Sequence, residues 1–179
     1  MTKREGKEYL AWFLANRDRR ASVLASYLGY TWSANSDELP ALLVAAATGF
    51  SSIAHKTPLP SEYLESLKKA ADTNLAPYIR KEDLSNETIA YCYDMAILVG
   101  LCFERSSPGL RVSIELGGKT NVDYGQIILL IPPRKVPVNP FRLCTVMARK
   151  VIDGADPVEV LDDLFQVYGF APPGKNAQK

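Results

Sequence analysis

The sequence predicts a mostly helical α+β domain, in which about six helices pack with one antiparallel β-hairpin that can belong to a small sheet. Apolar residues recur at three-to-four spacing along most of the chain, which is typical of helices. The spacing changes to two only beyond Gly109, where Leu110, Val112, Ile114 and Leu116 alternate with polar residues. Strict alternation of this kind indicates a half-buried strand.

Residues 7–28 predict the first helix, and Gly29 can cap its end. Trp12 and Trp32 flank this helix, and we expect both rings to anchor its packing, with a role in an interface as the alternative. The apolar residues that recur at helical spacing are Tyr9, Leu10, Phe13, Leu14, Leu24, Tyr27 and Leu28.

Two further helices follow. Ser36 or Asp37 caps the second helix, which ends near Gly49 and is apolar nearly all round, so we expect it to be buried. The prolines of residues 55–60 predict a linker, and residues 61–75 predict a helix that ends before the next proline.

The most apolar helix of the chain covers residues 86–105, with Ser85 as its cap, and we expect it at the centre of the core. Its only interior charge is Asp94. A buried carboxylate of this kind is most simply structural, held by a tyrosine, a helix N-terminus or an arginine such as Arg142. The alternative is an acid or base whose pKa is raised by burial.

The hairpin is predicted from residues 110–116 and 126–131. Between them, GGKT (117–120) is similar to the end of a phosphate-binding loop. Such a loop needs a glycine at position 113, where this chain has serine, and a helix after Thr120. We therefore interpret the glycines as residues that supply positive φ in a hairpin turn.

Two helices with clear start signals close the predicted domain. The signals are Asn139 with Pro140, for a helix that ends near Gly154, and Asp156 with Pro157, for a helix that ends at Gly169. We expect a single domain over residues 1–170, with an N-terminal helical part (1–54) and a part that holds the central helix, the hairpin and the last helices (59–170). Residues 171–179 are expected to be disordered.

Composition excludes several classes of function. A net charge of +1 and an isoelectric point near 7.6 give no general basis for binding nucleic acid. Cys92, Cys102 and Cys144 are odd in number and lie in apolar surroundings, which indicates buried thiols in a reducing compartment. Because the charged N-terminus is unlike a signal peptide and no apolar run is long enough for a bilayer, we expect a cytoplasmic protein without a membrane partner.

Catalytic and cofactor signals are weak. His55 is the only histidine and lies in a proline-flanked loop. A Ser-His-Asp triad or a Cys-His dyad would have to use His55, and the sequence motifs typical of such sites are not present around any candidate nucleophile. The scattered thiols form no zinc pattern, and we expect no catalytic residue, metal or cofactor. A carboxylate-only magnesium site of Asp94 with Glu104 or Asp123 is conceivable, although no motif supports it.

Charge is distributed unevenly along the chain. Residues 3–20 are rich in lysine and arginine, whereas residues 153–163 contain five acidic and no basic residues. Such a split can steer a charged partner, although two solvated helix faces would give the same pattern. The residues we expect to bind a partner protein are Asp156, Glu159, Asp162 and Asp163 of the acidic helix and Lys119, Asp123 and Tyr124 of the hairpin loop.

Five segments, in order, carry a resemblance over most of residues 9–165: YLAWFLANRDRR, SDELPALL, YDMAILVGLCFERSSPGLR, NVDYGQ and NPFRL. In this order they resemble a loosely defined group of bacterial proteins of the immunity or accessory type. The resemblance implies a bacterial cytosolic protein that acts by binding, and it transfers no catalytic residue.

The leading hypothesis is therefore a non-enzymatic interaction protein, most specifically an immunity protein or antitoxin that occludes a toxin enzyme. A competing hypothesis is an enzyme or small-molecule binder with a pocket around Asp94, between the central helix and the hairpin, where Tyr91 or Tyr124 would lie nearby. A third is a structural or regulatory subunit of a larger assembly, which a phage could encode. The oligomeric state is left open by the sequence.

Overall fold

Helix α4 (Asn86–Ser106) is the centre of the fold. It begins where the Ser85 hydroxyl accepts a hydrogen bond from the Thr88 N–H at 3.1 Å, as the sequence predicted. Its side chains are buried on several faces; those that are almost completely buried include Cys92, Met95, Leu98 and Phe103. A helix that is apolar on most faces is stable only when other elements surround it.

The computed structural model describes residues 1–33, 37–70, 81–118, 120–132 and 136–176 and has a mostly helical α+β architecture. The other helices are α1 (Lys3–Tyr27), α2 (Leu39–Ile53), α3 (Ser61–Ala70), α5 (Pro140–Ile152), α6 (Pro157–Val167) and α7 (Pro173–Asn176). The strands are β1 (Lys56–Pro58), β2 (Glu82–Leu84), β3 (Arg111–Ile114), β4 (Ile127–Ile131) and β5 (Val136–Val138). Helices α1, α2 and α5 all pack directly against α4.

The predicted hairpin is confirmed, and it is part of a three-stranded antiparallel sheet in the order β3-β4-β5. Val112 lies opposite Leu129, which in turn lies opposite Val138. The third strand is a three-residue segment between prolines, too short to give a period-two pattern. In the loop between β3 and β4, the glycine with positive φ is Gly125 and neither Gly117 nor Gly118. Our interpretation of those two glycines was therefore wrong.

A second sheet joins β1 to β2, although the sequence predicted only a linker at residues 55–60. The buried Thr88 hydroxyl explains how this ribbon is fixed to α4. It accepts from the His55 N–H at 3.0 Å and donates to the Ile53 carbonyl oxygen at 3.1 Å. A hydrogen bond between a side chain and a distant backbone carries no local sequence signal.

Several helix bounds differ from the predictions. Helix α1 begins at Lys3 rather than residue 7, because Thr2 and Glu5 form a reciprocal capping box. Helix α2 has Glu38 at its N-cap, where the side chain does not cap the helix, and it continues four residues beyond Gly49 to Ile53. The alternative cap Ser36 and the predicted end of the third helix before Pro77 lie outside the described residues.

The last two long helices start as predicted. Asn139 and Asp156 both accept hydrogen bonds from backbone N–H groups in the first turns of α5 and α6. The tail was expected to be disordered from residue 171, yet α7 packs against α2 and α6. Gly174 permits this approach, because a Cβ at that position would lie 2.7 Å from Val158 Cγ1.

Candidate functional site

A groove of about 560 Å³ lies between α1 and α4. Its floor and walls are mainly apolar, with arginines along one side. The residues that line it are Tyr9, Trp12, Phe13, Asn16, Arg17, Arg19, Arg20 and Val23 from α1, and Ala90, Tyr93, Asp94 and Ile97 from α4. A single carboxylate, that of Asp94, is among them.

Helix α1 forms this groove because it has apolar residues on two adjoining faces. One face packs into the core through Ala21, Leu24 and Ala25, which are all buried. The other carries Trp12, Val23 and Tyr27, of which 59%, 56% and 68% of the surface is exposed. The expectation that Trp12 anchors the packing of this helix was therefore wrong. Trp32, in contrast, is half-buried against the core, as expected for a packing anchor.

Aromatic rings stack along both walls of the groove. The Tyr9 and Trp12 rings are 6.0 Å apart and nearly parallel, and the Tyr93 ring stacks on Phe141 of α5 at 3.9 Å. Stacking restricts the rings while leaving faces and edges exposed to solvent. Rigid, exposed aromatic side chains are typical anchors for a partner because little conformational entropy is lost on binding.

Asp94 lies in this groove, where it pairs with Arg20 rather than with Arg142. Nε and Nη2 of Arg20 both donate to Oδ1 of Asp94, at 2.8 Å and 2.5 Å. Burial raises the pKa of Asp94, and the hydrogen bonds and charge of Arg20 oppose that rise. Arg17 forms a second ion pair from α1 to α4, with Glu104.

Neither tyrosine that we expected beside Asp94 lines the groove. The Tyr91 hydroxyl donates to the Ala46 carbonyl oxygen at 2.7 Å on the α2 side of α4, and burial raises the pKa of Tyr91. The Tyr124 hydroxyl donates to the Met1 carbonyl oxygen. The pocket around Asp94 is thus bounded by α1, and the predicted position between the central helix and the hairpin was wrong.

The acidic helix is only partly available to a partner. Asp156 caps α6, and Oδ1 of Asp162 accepts from the Gly174 N–H at 2.8 Å. Both carboxylates therefore serve the fold. Glu159 and Asp163 are exposed.

The hairpin loop is also tied into the structure. Oδ1 of Asp123 accepts from Asn139 Nδ2 at 2.9 Å, and its Oδ2 lies 3.7 Å from Arg142. Lys119 lies outside the described residues. Asn139 is at the start of α5 and Asp156 follows its end, roughly 20 Å away for a helix of 13 residues. Asp156 and the loop carboxylate of Asp123 therefore lie at opposite ends of α5.

The described residues contain no group of three or more His, Cys, Asp or Glu side chains that could hold a metal ion. Glu104 and Asp123, considered with Asp94 for magnesium, are each engaged by a different arginine. His55 lies in an exposed loop, where its Nδ1 is 2.8 Å from the Ile53 carbonyl oxygen. Across the part of the chain that is described, no helix is both long and apolar enough to span a bilayer.

The groove was missed in the sequence, although a signal for it is present. A second face of α1 is marked by residues that recur at three-to-four spacing, namely Trp12, Asn16, Arg19, Val23 and Tyr27.

Comparisons with protein-family models, with curated proteins and with solved structures found no match to this chain.

Proposed function

We propose that this protein is a non-enzymatic protein-binding module that docks its partner on the groove between α1 and α4. The observation that supports this proposal is an exposed surface of Trp12, Arg19, Arg20, Tyr27 and Tyr93. Tryptophan, tyrosine and arginine are the residues enriched at the energetic centres of protein interfaces.

The shape of the surface favours a protein over a small molecule. Trp12 and Tyr27 are 15 positions apart on one helix, which corresponds to roughly 22 Å. A stripe of this length suits an interface, whereas a small ligand is usually enclosed on most sides. The four exposed apolar residues of this surface are Trp12, Val23, Tyr27 and Tyr93, and each is at least 43% exposed. A pocket that encloses its ligand would leave its lining residues less exposed.

Within this class, the most specific proposal is a cytosolic immunity protein or antitoxin that occludes a toxin enzyme. It is supported by the resemblance of the chain to immunity-type proteins and by the ion-paired state of its candidate catalytic carboxylate. Asp94 is held by Arg20, and no histidine or cysteine lines the groove among the described residues. A binding role requires none of these groups to react.

The test is affinity capture from the native cells with tagged wild-type protein, Trp12→Ala and Tyr63→Ala. Tyr63 is an exposed aromatic residue of α3, with 52% of its surface accessible, so its truncation is the matched control. We expect one stoichiometric partner with wild-type protein and Tyr63→Ala, and its loss with Trp12→Ala. If Trp12→Ala still captured the partner while a double variant, Glu159→Lys with Asp163→Lys, did not, the interface would lie on the acidic helix instead.

A second candidate function is a small-molecule binder with its pocket around Asp94. The volume of the groove, about 560 Å³, falls within the range of ligand pockets and favours this alternative. A thermal-shift screen of metabolites with wild-type protein and Trp12→Ala would separate the two. A ligand that stabilises only the wild-type protein, with no stoichiometric protein captured from cells, would favour the small-molecule function.

A further inference from the structure

We propose that the groove accepts an acidic segment of the partner protein that carries at least one aromatic or large apolar side chain. This inference rests on the proposed function and adds the chemistry of the occupant.

The charge of the groove is the first reason. Three of its lining residues are arginines, Arg17, Arg19 and Arg20, and one is a carboxylate, Asp94, so three positive charges face one negative charge. Arg17 is also balanced by its ion pair with Glu104, and Arg20 by its ion pair with Asp94. Arg19 is exposed and has no ion-pair partner among the described residues. The groove therefore has at least one uncompensated positive charge.

The geometry of Arg20 is the second reason. Nε and Nη2 form one edge of the guanidinium, and both contact the same oxygen of Asp94. The edge that includes Nη1 faces away from this carboxylate and can donate to another. A planar guanidinium held along one edge is well suited to bind a second carboxylate, because its orientation is already fixed. Asp94 then acts as a positioning residue.

The arrangement of apolar and basic groups is the third reason. Arg19 lies between Trp12 and Val23 on the outer face of α1, and Arg20 lines the same groove, so both charges are next to apolar side chains. Tyr93 faces them from α4. An occupant must therefore place an apolar group and a carboxylate within a few residues of each other. An amphipathic acidic segment does this at helical or extended spacing.

A single nucleic-acid strand would also use arginines and aromatic rings, but it needs a basic path along its backbone. The net charge of +1 and the five acidic residues between 153 and 163 do not supply a strongly basic surface. The combination favours a protein segment.

The experiment is a selection from a displayed library of random peptides of about 16 residues, roughly the span from Trp12 to Tyr27 along α1. The full chain is immobilised, and peptides retained by Trp12→Ala are removed in a counter-selection. Enriched peptides are then synthesised with a fluorophore and titrated by fluorescence polarisation. Circular dichroism melts of each variant establish that the chain is folded.

We expect the enriched peptides to be net negative and to contain an aromatic or large apolar residue. Their dissociation constants should rise about thirtyfold with Trp12→Ala and about tenfold with Arg19→Glu, and added salt should weaken their binding. Tyr63→Ala and Arg111→Glu, which change an exposed aromatic residue and an exposed arginine elsewhere, should leave binding unchanged.

Enrichment of neutral or basic peptides, or no enrichment that depends on Trp12, would overturn the inference. So would a fluorescent oligothymidine that binds in the groove and displaces the acidic peptides. These outcomes are separable from failure of the proposed function. A partner captured from cells in a Trp12-dependent manner would still support a protein-binding module, with only the chemistry of its occupant misassigned.

Discussion

Arg20 of α1 places two nitrogens on a single oxygen of Asp94 in α4, and the two side chains differ in burial. The Asp94 side chain is 17% exposed, whereas that of Arg20 is 50% exposed. The carboxylate therefore loses more hydration than the guanidinium does on folding. Removing one partner should have a different effect from removing the other, because only one deletion leaves a largely buried charge unpaired.

Arg20→Gln should lower the free energy of unfolding by about 1–2 kcal/mol, a value below that of a fully buried pair because Arg20 is half exposed. Asp94→Asn should cost less, about 0–1 kcal/mol, since the amide oxygen still accepts a hydrogen bond and no charge is buried. Urea unfolding of both variants measures the two values. A larger loss for Asp94→Asn than for Arg20→Gln would contradict this assignment of roles.

Local signals identified most of the helices but not their outward faces. Ser85, Asn139 and Asp156 cap helices as predicted, because an N-cap depends on residues within one turn. Trp12 was expected to anchor the packing of α1, because the sequence alone does not show which side of this helix meets α4. That choice depends on Asp94 and Tyr93, which are more than 80 positions away in the sequence.

The same limit applies to the acidic surface. The sequence shows that Asp156 and Asp162 lie in one acidic stretch, but not that a C-terminal turn at Gly174 uses one of them as a hydrogen-bond acceptor. The β1–β2 ribbon was missed for a related reason. Strands of three residues give no period, and their pairing joins segments more than 20 positions apart.

The pKa of Asp94 should be measurably above its ordinary value, since burial outweighs the stabilising effect of Arg20 on the carboxylate. At a pH between the pKa of Asp94 in the unfolded chain and its pKa in the folded protein, the folded protein holds the Asp94 proton more tightly than the unfolded chain does. The contribution of Asp94 to stability is therefore largest below the unfolded pKa and is lost as the pH rises through the folded pKa.

Carbon-detected NMR titration of the Asp94 carboxyl measures this pKa directly. In Arg20→Gln it should rise further, because both the hydrogen bonds and the charge that lower it are removed. A value that falls in this variant would show that Arg20 does not stabilise the ionised form.

All three thiols should resist modification in the folded protein. Burial raises the pKa of Cys92 to about 12 and that of Cys102 to about 11, and the completely buried Cys144 is shifted in the same direction. We expect reaction with a disulfide reagent to follow the rate of unfolding, with three thiols released in denaturant. Rapid labelling of one cysteine under native conditions would show that its surroundings open locally.

Gly49 of α2 lies against the ring of Tyr91, and a Cβ at this position would fall inside the contact distance of the Tyr91 oxygen. Gly49→Ala should therefore destabilise the protein by about 1–3 kcal/mol, despite the higher helix propensity of alanine. Gly100→Ala is the matched control, because the added Cβ would have no described atom within 4 Å beyond its chain neighbours and the backbone of its own helix. That variant should be neutral or more stable by about 0.5–1 kcal/mol.

Tyr91→Phe tests the cause of the clash. It removes the oxygen that meets the new Cβ, but it also removes the hydrogen bond to the Ala46 carbonyl oxygen, at a cost of about 1 kcal/mol. Because the ring carbon Cζ still lies 3.1 Å from the Cβ position, rescue should be partial. In a double-mutant cycle by urea unfolding, Gly49→Ala with Tyr91→Phe should lose about 1 kcal/mol less than the sum of the single variants. Strict additivity would mean that α2 avoids the clash by moving away from α4, and Gly49 would then have no specific role in their packing.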